Sequence, residues 1–201
     1  MKQAWMVVGI SVLLAIANLA MADAPAAGED GTGLPVTFEQ MKARHAQIAL
    51  EPQGAARCFL DAVFVYQNEA TRDEARKMIQ YLAIPLKDQP DWDTNGRNRL
   101  MRDRMIDPAY AHVWRSYAKG TSPDNGYAMD PNNWELNFER THQHPNDDRG
   151  LQVYLRSSGA DNPRVVYVKK STSTGLYYLN LFPSLYVDIR PPVDPNAEKF
   201  E

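Results

Sequence analysis

The chain has little of several things, and each shortage excludes something. It has one cysteine, Cys58, in 201 residues. One thiol cannot close an internal disulfide, so an apolar core must stabilise the fold. Cys58 sits within AARCFLDAVFVY, a stretch with helical apolar spacing. That setting marks a buried structural thiol rather than a nucleophile. A basic surplus is also missing. There are 22 Lys and Arg against 25 Asp and Glu, a formal net charge of −3. This balance argues against a nucleic-acid partner, whose contact face needs excess positive charge. The chain has no Gly-x-Ser-x-Gly elbow, no His-Glu-x-x-His, no phosphate loop and no informative Cys/His pair. Nothing in it calls for a cofactor.

What is present begins with MKQAWMVVGISVLLAIANLAMADA. Lys2 is the only charge before Asp23, and an apolar run extends from Ala4 to Leu19. Ala20-Met21-Ala22 fits the small-x-small rule, so a signal peptide is expected over residues 1–22 with cleavage before Asp23. The run is short for a membrane span and lacks a basic stop-transfer flank. No stable membrane insertion is expected after cleavage, and the expected location is periplasmic or extracellular. Residues 23–34, rich in Ala, Pro and Gly, read as a flexible leader. A single domain is expected over residues 35–192, with a loose tail from 193 to 201.

The first part of that domain has helical periodicity. Thr37 and Gln40 form a capping-box pattern, and Thr71 and Glu74 form another. Helices are expected from Thr37 toward Leu50, from Gly54 to Asn68, and from Thr71 to before Pro85. The second is apolar on most sides and should be central and buried. A fourth helix is expected from about Thr94 to before Pro108. A fifth would start at Asp107 and Pro108 and end at Gly120. After Asn132 the period changes to two. Strands are expected at residues 134–138, 151–155, 165–169, 176–181 and 185–189, with Ser171 to Gly175 as a hairpin loop. The result is an α+β fold, about five helices packed on an antiparallel sheet of four to five strands.

Four stretches carry a resemblance: AARCFLDAVFVY, RNRLMRDRM, SYAKGTSPDNGY and YLRSSGADNPRVVYV with its continuation to RPP. Together they resemble a bacterial domain-of-unknown-function family over about residues 53–192. The resembling pattern has Ser116, Tyr117, Gly120, Thr121, Pro123, Asn125 and Tyr127 in one stretch. A second stretch has Ser158, Gly159, Ala160, Asp161, Pro163 and Arg164. The resemblance implies no reaction.

Residues 157–164, SSGADNPR, should connect two strands. Turn chemistry accounts for them without a ligand: Gly159 for positive φ, Asp161 for an Asx-turn, Pro163 for a fixed φ, and Arg164 to pair with Asp161 or cap carbonyls. The functional alternative is a small anion or sugar site. Its candidate residues are Tyr117, Thr121, Asn125, Tyr127, Arg156, Ser158, Asp161 and Arg164, with residues 120–127 and 157–164 side by side. The partner would be a protein, a glycan or a small ligand. The main reading is thus an exported, non-enzymatic binding module of the cell envelope. A hydrolase using Asp161 or His144 is the alternative. Two metal patterns are incomplete. Asp91-x-Asp93-x-Asn95-Gly96 has Arg102 where a calcium loop needs glutamate. His142 and His144 lack an evident third ligand.

Overall fold

The computed structural model describes residues 33–143, 147–194 and 196. The segment read as a signal peptide lies outside these residues, as do residues 23–32, His144 and most of the tail. Five α-helices make up the N-terminal half: α1 (Phe38–Ile48), α2 (Pro52–Gln67), α3 (Arg72–Leu82), α4 (Arg99–Ile106) and α5 (Ala111–Arg115). Four strands follow: β1 (Phe138–His142), β2 (Leu151–Leu155), β3 (Arg164–Lys170) and β4 (Tyr177–Leu181). They form one antiparallel sheet in the order β1-β2-β3-β4. This is the α+β architecture expected from the two periodicities.

Helix α2 is the centre of the molecule. Thirteen of its 16 residues are buried, including Cys58, Phe59 and Asp61. The other helices cover it on one side and the sheet on the other. Val153, Leu155, Val166, Val168 and Leu179 form the buried face of the sheet. The Phe59 ring meets Phe182 at 4.8 Å between centroids. Gly54 starts this helix tight beneath the end of α1: a Cβ there would lie 1.8 Å from the Ile48 carbonyl oxygen. Burial pushes the Cys58 thiol far above its usual range, so it remains a neutral packing group.

The first capping box forms as its sequence pattern requires. Thr37 Oγ1 accepts from Gln40 N at 3.2 Å, and Gln40 Oε1 accepts from Thr37 N at 3.1 Å. The second does not. The Thr71 hydroxyl donates to the Val65 carbonyl at 2.8 Å, and Glu74 Oε2 accepts from Phe38 N at 2.8 Å. Both side chains take partners on α2 and α1 instead of capping α3, so tertiary contacts displace a local motif. Helices α4 and α5 start later than their periodicity indicates. A 3-10 turn precedes each, capped by Asn95 accepting from Arg97 N and by Asp107 accepting from Ala109 N. Helix α5 stops at Arg115, so Gly120, at φ 80°, shapes a later turn rather than the helix end.

The open edges of the sheet are treated differently. β1 is an exposed edge with a bulge between Phe138 and Arg140. β4 is covered. Tyr177 N donates to the Ala49 carbonyl at 2.8 Å, and Ala83 bridges Leu179 in parallel. The ends of α1 and α3 thereby occupy backbone groups that would otherwise invite another strand.

Two expected strand segments are not strands. Around Trp134 and Leu136 only an isolated bridge, Leu136 to Ala118, forms. Residues 185–189 form an irregular strap, with Asp188 at φ 53°. The strap carbonyls accept from side chains rather than from a neighbouring strand: Leu185 O from Tyr117 at 2.8 Å, Asp188 O from Arg164 at 2.7 Å. Satisfied this way, the backbone needs no ladder.

One charged cluster lies inside the helical layer. The Asp61 side chain has no exposed surface. Its carboxylate faces Arg44 Nε at 3.2 Å and Arg57 Nε at 3.0 Å, and Trp134 Nε1 donates to it at 2.9 Å. The Arg57 guanidinium stacks on the Trp134 ring at 3.8 Å. Among the described residues no helix is long and apolar enough to cross a membrane.

Candidate functional site

The two loops singled out in the sequence do meet. Thr121 Oγ1 and Ser158 Oγ lie 3.0 Å apart. Ser158 N donates to the Ser116 carbonyl at 2.9 Å, and the Ser157 hydroxyl donates to Ser116 Oγ at 2.8 Å. The strap completes the seam: Arg190 N donates to the Gly159 carbonyl, and Tyr127 Oη donates to the Arg190 carbonyl at 2.6 Å.

The polar groups of the eight candidate residues are largely engaged within this seam. Tyr117 and Tyr127 have no exposed surface, and Thr121 is buried. Asn125 closes its own turn, donating from Nδ2 to the Gly120 carbonyl and accepting from Ser122 N. Arg156 pairs with Glu139 at 3.2 Å and keeps an exposed side chain. Arg164 donates to the Val187 and Asp188 carbonyls. Asp161 pairs with Arg190 at 2.9 Å, not with Arg164, and is 84% exposed. No enclosing wall surrounds its carboxylate there.

Gly159 is required for a reason other than the expected positive φ, which it does not adopt. A Cβ at this position would lie 2.4 Å from Tyr127 Oη and 2.6 Å from Ile189 Cγ2. Tyr127 itself adopts φ 57°, a costly conformation for a bulky residue, with its hydroxyl tied to the Arg190 carbonyl. Gly159→Ala is therefore expected to destabilise by about 1–3 kcal/mol, the usual cost of overpacking. Urea denaturation measures it; a loss within about 0.5 kcal/mol, as at unconstrained surface sites, would show that the seam yields.

A cavity of about 590 Å³ lies elsewhere, between the end of α3 and the β3–β4 hairpin. Tyr81, Ile84 and Lys87 form one wall, and Lys169, Lys170, residues 171–174 and Tyr178 form the other. Its lining residues include three lysines, four hydroxyl side chains in sequence and no acid. Among the described residues none of these lysines pairs with an acid; Lys170 Nζ instead lies 5.4 Å from the Tyr177 ring centre. The hairpin is ordered from within. Ser171 N donates to the Leu176 carbonyl at 2.8 Å, Thr174 N donates to Ser171 Oγ at 3.3 Å, and Gly175 turns at φ 73°.

Behind the cavity is a buried imidazole. His45 on α1 has no exposed surface. Its Nε2 lies 2.8 Å from the Tyr177 carbonyl, and its Nδ1 lies 3.3 Å from Tyr81 Oη. Tyr81 Oη lies 3.3 Å from Tyr178 Oη. Burial pushes the His45 pKa down, and the hydrogen bond to the Tyr177 carbonyl opposes this. Burial and the neighbouring Tyr178 hydroxyl push the Tyr81 phenol far up, so it stays protonated.

None of these cavity residues was singled out from the sequence. Lys169-Lys170-Ser-Thr-Ser-Thr-Gly reads as a hairpin with a polar loop, which it is. The signal it also held was six consecutive polar side chains with no acid. His45, Tyr81 and Tyr178 are far apart in sequence and only the packing of α1, α3 and β4 joins them.

Within the incomplete calcium pattern, Asp93 is used otherwise. Asp93 pairs with Arg76 at 2.9 Å and accepts from Tyr66 Oη at 3.0 Å. Among the described residues no group of three or more His, Cys, Asp or Glu is placed to hold a metal ion.

A family model described as "Domain of unknown function (DUF6935)" matches residues 33–193. The match contains the whole region over which the sequence resemblance was read. No curated protein and no solved structure matches the chain.

Proposed function

The chain belongs to this family of domains of unknown function, and for this member we propose a non-enzymatic binding role in which the cavity between α3 and the β3–β4 hairpin holds a small molecule through an oxyanion group: phosphate, sulfate or carboxylate. One observation carries the reading. Lys87, Lys169 and Lys170 all contribute to the lining of a hydroxyl-rich concavity whose lining contains no acid. Like charges in a concave wall raise the local potential and draw an anion. The hydroxyls of residues 171–174 supply short-range donors, and Tyr81 and Tyr178 offer ring faces to the rest of a ligand. The seam of residues 116–127, 157–164 and the strap serves as scaffold in this reading.

Titration calorimetry with inorganic sulfate and inorganic phosphate tests it. Removing charged hydrogen-bond donors costs about 1.5–3 kcal/mol each. The double variant Lys169→Gln/Lys170→Gln is therefore expected to weaken binding by at least tenfold while leaving the melting temperature within a few degrees. Equal affinity in wild type and double variant would end the assignment.

Export belongs to the same proposal. The expected mature chain starts at Asp23, and intact-mass measurement of protein recovered from outside the cytoplasm checks it. A mature form that retains residues 1–22 would contradict it.

A further inference from the structure

His45 and its two tyrosines form a hydrogen-bonded chain whose direction depends on one proton. The Tyr177 carbonyl can only accept, so His45 Nε2 carries a hydrogen. In the neutral imidazole Nδ1 is then the acceptor, and Tyr81 Oη must donate to it across 3.3 Å. Tyr81 is left with lone pairs toward Tyr178, 3.3 Å away, and the hydroxyl hydrogens run inward, away from the cavity. A protonated His45 reverses the order. Nδ1 now donates to Tyr81 Oη, and the Tyr81 hydrogen turns outward, to Tyr178 Oη or to whatever occupies the cavity that both tyrosines line.

We propose that oxyanion binding in this cavity is coupled to uptake of one proton at His45, transmitted through Tyr81 and Tyr178, so that the site binds more tightly as pH falls. The proposal rests on the cavity being the binding site. The proton comes from solvent and ends on Nδ1; no bond between heavy atoms changes. In the empty site burial of the ring and a tyrosine chain that already donates inward disfavour it, while the Tyr177 carbonyl opposes them. A bound oxyanion accepts the outward-turned hydroxyl, and its negative charge favours the protonated ring.

The groups facing His45 support a single titrating partner. From α3 comes Tyr81, ring centroid at 5.3 Å; from β4 come Tyr178, at 4.7 Å, and the Tyr177 carbonyl. From α2 the nearby Cys58 stays a neutral thiol. On its own helix Arg44 is committed to Asp61.

The test is sulfate binding from pH 5 to pH 8, because sulfate keeps a fixed charge over that range. In wild type the association constant is expected to fall toward tenfold per pH unit above the His45 titration. Reciprocity requires sulfate to raise the His45 pKa by the same coupling, read from its ring signals by NMR. Tyr81→Phe removes the relay and leaves His45 and the lysines in place. It should bind sulfate with a nearly flat pH profile. Three results would overturn the coupling alone: sulfate binding in wild type with no pH dependence, an unmoved His45 titration, or an unchanged slope in Tyr81→Phe. Absence of sulfate binding at every pH would overturn the cavity assignment and the coupling together.

Discussion

Asp61→Ala is expected to cost about 3–5 kcal/mol of unfolding free energy, the penalty for breaking a buried ion pair from one side. The carboxylate contacts two guanidiniums and an indole N–H inside the helical layer, with no exposed surface of its own. Removing it leaves the buried Arg44 and the partly buried Arg57 without a counter-charge. Arg44 has 8% of its side-chain surface exposed, so it cannot easily reach water. The loss is therefore larger than the removed bonds alone. Truncating an exposed pair such as Lys119 with Glu135 should cost under about 1 kcal/mol. Urea denaturation of both variants makes the comparison, with an unchanged m-value as the sign that the native state is intact. If Asp61→Ala costs no more than the surface variant, water reaches the cluster and the desolvation account fails.

Phe59→Ala is expected to cost a similar amount, about 3–5 kcal/mol, through lost burial plus the cavity left behind. Phe59 has no exposed surface and packs against Phe182, just ahead of the strap. Thirteen of the 16 residues of α2 are buried, so little can collapse into the gap. A change below about 1 kcal/mol in denaturation would show that the layer repacks freely and that α2 is not the rigid centre.

The helices were legible because their periodicity is dictated by which side is buried. Around α2 almost every side is apolar, and a helix of that kind has only one place to go. The Thr37–Gln40 box was equally legible, since both partners lie within one turn. The Thr71–Glu74 box was not. Its hydroxyl and carboxylate found Val65 O and Phe38 N, and no local pattern reports a partner that folding brings in from elsewhere. The segment 185–189 misled for a related reason. Leu185 and Ile189 are buried, but the segment's carbonyls are met by Tyr117 and Arg164.

The sequence by itself determined the α+β division, the central place of α2 and the inert burial of Cys58. Each follows from composition, period or local stereochemistry. Only the tertiary structure decided that Gly159 is needed for clearance rather than for φ, and that Asp161 meets Arg190 instead of Arg164. It alone brought Lys87 to Lys169 and Lys170, and set His45, Tyr81 and Tyr178 in one hydrogen-bonded line. The physical reason is the range of the interactions. Period and capping act over a few residues, whereas steric clearance, charge convergence and a relay depend on distances between α1, α3 and β4 that exist only once the core has packed.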